Sequence, residues 1–228
     1  MSGCATSGPL HLYSLAAADE RPIVDHAPGG KLEVPSFLEA TDEITGFAYD
    51  PFTDHFFLRL APGNLIRVVD RPARAIKREF TIDDAPPKSS GDLAVRPRDG
   101  HLFLLVPDGV METTRLGKFV RTFPLESGGT QPIGIAFDML RDRLLVLRAD
   151  GQTLAQHDDQ GKQLSVVRLA QPVERGLGFH AEERHVYAPL RERAGEIGVF
   201  DETGNLVRAL RAEGPFIDVG IRSFVRVF

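Results

Sequence analysis

The chain has no tryptophan, one cysteine and three tyrosines in 228 residues. A single cysteine excludes an internal disulfide framework and any zinc site built on several cysteines. No apolar run reaches the length of a membrane-spanning helix. Basic residues are outnumbered, 27 Lys and Arg against 32 Asp and Glu, and they are scattered along the chain, which argues against a nucleic-acid partner. Gly-x-Ser-x-Gly elbows, Walker A loops and dinucleotide glycine motifs are absent. Nothing in the chain has the periodicity of a helix of ordinary length. Hydrophobic residues make up 42% and charged residues 26%, the balance of a chain that can bury a core.

A repeat is present instead. Gly46-Phe-Ala-Tyr49, Asp92-Leu-Ala-Val95, Gly134-Ile-Ala-Phe137 and Gly176-Leu-Gly-Phe179 stand 46, 42 and 42 residues apart. Each is followed by a turn-forming cluster and then by an apolar, β-prone run: His55–Leu60, His101–Val106, Arg143–Arg148 and His185–Leu190. A glycine comes next (Gly63, Gly109, Gly151, Gly195), then a third segment, a second turn with Gly117, Gly161 or Gly204, and an alternating fourth segment. Four short strands repeated at 40–45 residues are the signature of a β-propeller blade.

The ends fit the same register. Leu10–Leu15 matches a second strand, residues 22–37 a third and fourth with Gly30 at the turn, and Ile217–Arg222 the missing first strand. The expectation is an all-β, five-bladed β-propeller of four-stranded antiparallel blades, with one blade composite from both termini; Phe224–Phe228 as a displacing strand would change the count by one. Residues 1–9 form an N-terminal tether and residues 10–228 a single propeller domain.

The form of residues 134–162 resembles NHL-repeat propellers, and Glu43–Pro51 is similar to the SdiA-regulated, phytase-like group. The likeness covers residues 43–212. Such groups include binding scaffolds, lactonases and phosphate-ester hydrolases, and the hydrolases hold a divalent metal with carboxylates at the central channel. That resemblance implies a channel site built from the beginnings of the first strands: Glu43, Thr45, Ser90, Asp92, Gln131, Glu174, Arg175 and Asp218. Glu43, Asp92, Glu174 and Asp218 are the metal-ligand candidates, for Ca²⁺. Their offsets from the anchor differ, and Gly91 stands where that group presents an acid.

Met-Ser-Gly-Cys at residues 1–4 resembles the end of a bacterial lipoprotein signal, without its basic and apolar regions, which makes Cys4 a candidate for lipidation. A stray cysteine on a frayed terminus is the alternative. The chain is expected to be a non-catalytic binding or scaffolding module of the cell envelope or periplasm, or otherwise cytoplasmic. It is expected to have no cofactor, no transmembrane segment, and a protein partner or small polar ligand. Two alternatives stand beside this: a metal-dependent hydrolase of lactones or phosphate esters, and a structural subunit of a larger complex.

Other residues are expected to be structural. His55, His101 and His185 occupy one repeat position, so they diverge around a ring, and solvation at a strand start explains them. His180 belongs to an exposed turn. The stretch Arg67–Arg78 protects outer strands from pairing, and Phe52, Phe56, Phe57, Phe80, Phe119 and Phe123 fill the core between blades.

Overall fold

A computed structural model describes residues 11–16, 23–25, 32–33, 38–39, 41–61, 64–82, 91–107, 109–126, 131–211 and 216–222. Cys4 and the tether, Gly30, Gly63, Ser90 and Phe224–Phe228 lie outside them. The described residues form strands and turns, with no helix among them.

Four sheets come from contiguous stretches of chain. The first holds β4 (Glu43–Asp50), β5 (His55–Ala61), β6 (Leu65–Asp70) and β7 (Ala75–Thr81). The second holds β8 (Leu93–Arg96), β9 (His101–Val106), β10 (Gly109–Thr113) and β11 (Phe119–Phe123). The third holds β12 (Pro132–Asp138), β13 (Arg143–Arg148), β14 (Thr153–His157) and β15 (Gln163–Arg168). The fourth holds β16 (Gly178–His180), β17 (His185–Pro189), β18 (Glu196–Phe200) and β19 (Leu206–Arg211). Each is four-stranded, antiparallel and ordered as the chain runs.

A further four-stranded sheet joins the two ends. It takes β1 (His11–Ala16), β2 (Ile23–Asp25) and β3 (Leu32–Glu33) from one end and β20 (Phe216–Arg222) from the other, in the order β20-β1-β2-β3. Its register runs from His11 opposite Arg222 to Leu15 opposite Asp218. The inner strands β4, β8, β12, β16 and β20 each pack on the next, and β20 returns to β4. Four-stranded antiparallel sheets in a closed ring make the molecule a β-propeller.

The core lies between the sheets because side chains of one strand alternate across its two faces. Phe47, Tyr49, Phe56 and Leu58 pack toward Tyr13 and Leu15 of the terminal sheet. Ala48 and Phe57 of the same strands, with Val68 of β6, face the other way, toward Leu93, Leu102 and Leu104. The pattern continues with Ala94, Phe103 and Leu105 against Ile135 and Val146, and with Ala136, Leu145 and Leu147 against Leu177 and Val186. It closes with Tyr187, Ile197 and Val199 against Leu12. Each buried Leu, Val, Ile or Phe among them contributes about 1.5–3 kcal/mol by leaving water, which makes contacts between blades a large part of the stability.

The anchor residues mark where neighbouring inner strands converge. A Cβ on Gly46 would sit 2.8 Å from the Leu93 nitrogen and 2.9 Å from the Asp92 Cα, so only glycine fits there. The turn glycines Gly117, Gly161 and Gly204 take φ of +83°, +84° and +88°, as the second turn of each repeat requires.

Two expectations about aromatic and histidine residues are corrected. Phe52 and Phe119 are exposed, at 45% and 39%, while Phe56, Phe57 and Phe123 are buried and Phe80 is half-buried. His55 and His180 are buried rather than solvated. His55 sits against Lys77 and Asp70. His180 ends β16, and its Nδ1 accepts the Glu183 amide at 3.2 Å, which closes the turn. His101 and His185 are half-buried and meet Glu112 at 2.7 Å and Glu183 at 3.1 Å.

Candidate functional site

The central channel has two different ends. The sequence-derived candidates belong to the end where the first strands begin. Glu43 is exposed at the start of β4. Thr45 is buried, skipped by the β4–β5 register, and its hydroxyl donates to the Arg59 carbonyl at 3.3 Å. Gln131 is exposed, and its carbonyl accepts the Ala149 amide. Glu174 is exposed and lies 3.5 Å from Arg191. Asp218 lies in β20 opposite Leu15.

Asp92 is buried, and backbone amides hold both its oxygens. Oδ1 accepts Leu93 N–H at 2.7 Å, and Oδ2 accepts Ile135 N–H at 2.8 Å. The second bond crosses to the next blade and satisfies an amide on the inner edge of β12. A carboxylate so placed acts as a clamp between blades. Among the described residues, no group of three or more His, Cys, Asp or Glu side chains could hold a metal ion.

Arg175 reaches furthest. Its Nη2 donates to the Ile44 carbonyl at 2.7 Å, joining the loop before β16 to β4 across a separation of 131 residues. In the ring β20 lies between those two strands, so the guanidinium spans the polar mouth.

A second arginine was not singled out by the sequence reading. Arg59 is fully buried, and its guanidinium links the first blade to the second. Nη1 donates to the Leu105 carbonyl at 2.7 Å and the Gly91 carbonyl at 3.2 Å, and Nη2 donates to Asn64 Oδ1 at 2.9 Å. Burial disfavours the cation and lowers its pKa to about 10, partly offset by the nearby Asp92 carboxylate. The signal was in the repeat: Arg59 stands where the other second strands carry Leu105, Leu147 and Pro189.

A further buried network occupies the second blade. The Glu112 carboxylate accepts from Arg96 at 2.7 Å and from Arg121 at 2.7 Å, and meets His101 Nδ1 at 2.7 Å. Its pKa lies below the usual carboxylate value: burial pushes it up, but hydrogen bonds from His101 and Arg121 and the charges of Arg96 and Arg121 outweigh that. The Arg-rich outer stretch is likewise paired internally. Arg67 bonds Asp42 and Glu79, and Arg71 grips Asp54 through two bonds of 2.5 and 2.7 Å.

The opposite end of the channel is lined by small and apolar side chains, with main-chain polar groups reaching the surface between them. A cavity of about 60 Å³ opens there among the ends of the first strands and the turns that follow. Its wall carries one small residue per repeat, Ala48, Ala94, Ala136 and Gly178, and its mouth carries Phe137, Met139 and Phe179. The sequence showed these small residues at fixed offset from each anchor, but not that they enclose a space.

No protein-family profile matches the chain, and no curated protein matches it. Solved structures do. A chain from a nidogen–laminin complex aligns with a TM-score of 0.63 at 12% identity, over 93% of this chain and 98% of that one. A protein of unknown function from Bacteroides caccae aligns at 0.58 and 11%, over 94% and 99%. Glutaminyl cyclase from Myxococcus xanthus aligns at 0.56 and 19%, over 74% and 70%. Identities this low show the β-propeller fold alone.

Proposed function

We propose that the chain is a non-catalytic binding module of the bacterial cell envelope, a propeller whose terminal sheet serves as a fifth blade. In this reading Cys4 carries a lipid anchor, and the end of the channel that bears Phe137, Met139 and Phe179 meets the ligand or protein partner. The observation that carries it is the asymmetry of the channel. At the polar end Arg175 donates across the mouth to the Ile44 carbonyl, and Asp92 is taken up by two amides, so the charged groups serve the ring itself. At the other end the space is lined by the side chains of Ala136, Phe137, Met139, Phe179 and their repeats with main-chain polar groups between them, a mixed surface that suits a ligand with an apolar body and a few polar groups.

The propeller likeness supports a scaffold as readily as an enzyme, since a fold hosts many functions. Two measurements test the reading. Thermal melting with EDTA and then with Ca²⁺, Mg²⁺ or Mn²⁺ is expected to give the same midpoint, because only an ion bound to the folded state raises it. A rise that Glu43→Ala or Glu174→Ala removes would replace this reading with a metal-dependent hydrolase, to be assayed on lactones and phosphate esters. Titration with indole or N-acetyl-leucinamide, followed by the methyl signals of Met139 and Ala136, is expected to shift both signals. Unmoved methyls would remove the channel end as the binding site.

A further inference from the structure

Each inner strand of the four contiguous blades ends on a polar residue that closes the turn after it. Asp50, Arg96, Asp138 and His180 are the last residues of β4, β8, β12 and β16, and all four are buried. Their neighbours in sequence line the channel end: Phe137 and Met139 flank Asp138, and Phe179 and Ala181 flank His180. Asp50 Oδ1 accepts the Phe52 amide at 3.0 Å, and Asp138 Oδ1 accepts the Leu140 and Arg141 amides at 3.0 and 3.2 Å. Arg96 instead donates Nε–H to Asp99 at 2.9 Å, and Asp99 accepts the His101 amide at 3.0 Å. A carboxylate accepts and a guanidinium donates throughout the range in which an imidazole titrates.

The fourth blade departs from this. His180 Nδ1 accepts the Glu183 amide at 3.2 Å. A backbone N–H can only donate, so Nδ1 is unprotonated and the ring's one proton sits on Nε2. A second proton turns the acceptor into a donor, and two N–H groups cannot share the place. A replacement partner is already near: Glu183 Oε2 lies 3.8 Å from His180 Nδ1 and also meets His185 Nδ1 at 3.1 Å.

We propose that His180 makes the turn after β16 a proton-operated latch at the channel end: the neutral ring holds the Glu183 amide, and the protonated ring releases it for the Glu183 carboxylate. The surrounding charges decide where the latch acts. Glu182 and Glu183 of the turn favour the protonated ring, and His185, opposite it on β17, disfavours it. Arg184 of the same turn is engaged by Glu202. β12 contributes Asp138, whose Oδ1 serves its own turn, and β20 ends on Arg222. Burial outweighs the two carboxylates and lowers the ring's pKa below 6.5, so the latch opens in mild acid. Opening moves the turn beside Phe179 and Ala181 and so reshapes the mouth. The latch belongs to the turn and does not rest on which ligand the channel takes.

An NMR titration of the full chain from about pH 7.5 to about pH 5 tests it. At the upper end the ring nitrogens of His180 are expected to report the Nε2–H tautomer. As the ring takes up its second proton, the Glu183 amide is expected to shift with the same midpoint and to lose about fivefold in protection from exchange. The Leu140 amide, held by Asp138, keeps its protection. His180→Asn supplies an acceptor that does not titrate, at a place where Asp50 and Asp138 reach the turn with a side chain of that length. It is expected to abolish the Glu183 transition, and His185→Gln to leave it in place. A proton on Nδ1 at the upper end, a ring still neutral at the lower end, or a Glu183 amide unmoved as His180 titrates would each overturn the latch. So would a transition that survives His180→Asn or that His185→Gln removes. Should His180→Asn fail to fold, the ring and amide signals of the parent chain decide alone.

Discussion

Buried cations and histidines carry most of the specific chemistry at the residue scale. His157 is 1% exposed; its Nε2 donates to the Glu126 carbonyl at 3.3 Å, and Nδ1 has no partner among the described residues. Burial lowers its pKa below 6.5, against a smaller upward pull from the Glu126 carbonyl. His180 and His55 are lowered by burial as well. The unfolded chain therefore takes up protons first as the pH falls. Stability is fully present above pH 6.5 and is lost progressively below it, down to the folded pKa values. His157→Gln, which cannot take up that proton, is expected to make the fall in melting temperature between about pH 7 and pH 5 shallower than in the parent chain. An unchanged slope would show that His157 does not contribute to it. Arg59 makes a second case. Arg59→Ala leaves the Gly91 and Leu105 carbonyls without their donor and opens a void, at a cost of about 3 kcal/mol in denaturant unfolding. Arg59→Leu should cost less, because the matching position accepts Leu105 and Leu147 in the next two blades. At this scale the sequence carries Arg59 inside an apolar run without indicating what it bonds. Nor could it show that His180 closes a turn, because the Glu183 amide is a backbone group that any residue would supply.

Turns set the register of each element, and the repeat makes them comparable. Gly161 donates to the Asp158 carbonyl in the second turn of the third blade, as Gly117 and Gly204 do in theirs. A Cβ on Gly161 would lie 2.0 Å from the Pro124 carbonyl oxygen, and its φ is +84°. Gly161→Ala thus meets both backbone strain and a clash with main chain, for a predicted loss of about 2–4 kcal/mol by chemical denaturation. In the first blade Arg74 holds the equivalent place, donating to the Arg71 carbonyl at φ +53°. Arg74→Gly relieves that strain and adds freedom to the unfolded chain, so the two effects nearly cancel and stability should change by less than about 1 kcal/mol. A large loss there would mean that the Arg74 side chain, rather than its backbone, holds the turn. The glycines that repeat were readable because positive φ selects for them. Arg74 was not, because a strained non-glycine residue leaves no mark on composition.

The whole molecule is a ring, and rings are stabilised by closure. The period between Gly46, Asp92, Gly134 and Gly176 was legible because each blade must bury the same two faces against its neighbours. The cavity and the Arg175 latch were not, since both join residues that the repeat keeps far apart in sequence. Closure depends on β20, which pairs with β1 and packs against both β4 and β16. Deleting residues 216–228 takes away the inner strand of the terminal sheet. β1 would then present an open edge, and β4 and β16 would lose an inner-strand neighbour. The truncated chain is expected to unfold at a lower temperature and to aggregate, since an exposed apolar edge pairs with any strand that reaches it. Adding back a peptide of residues 214–228 in trans should recover part of the melting temperature, because binding to the folded state alone stabilises it by mass action. A truncated chain that stays monomeric with unchanged melting would mean that the other blades hold the ring without the terminal strand. A truncated chain that melts low but gains nothing from the peptide would mean that the open state rearranges before the strand can return.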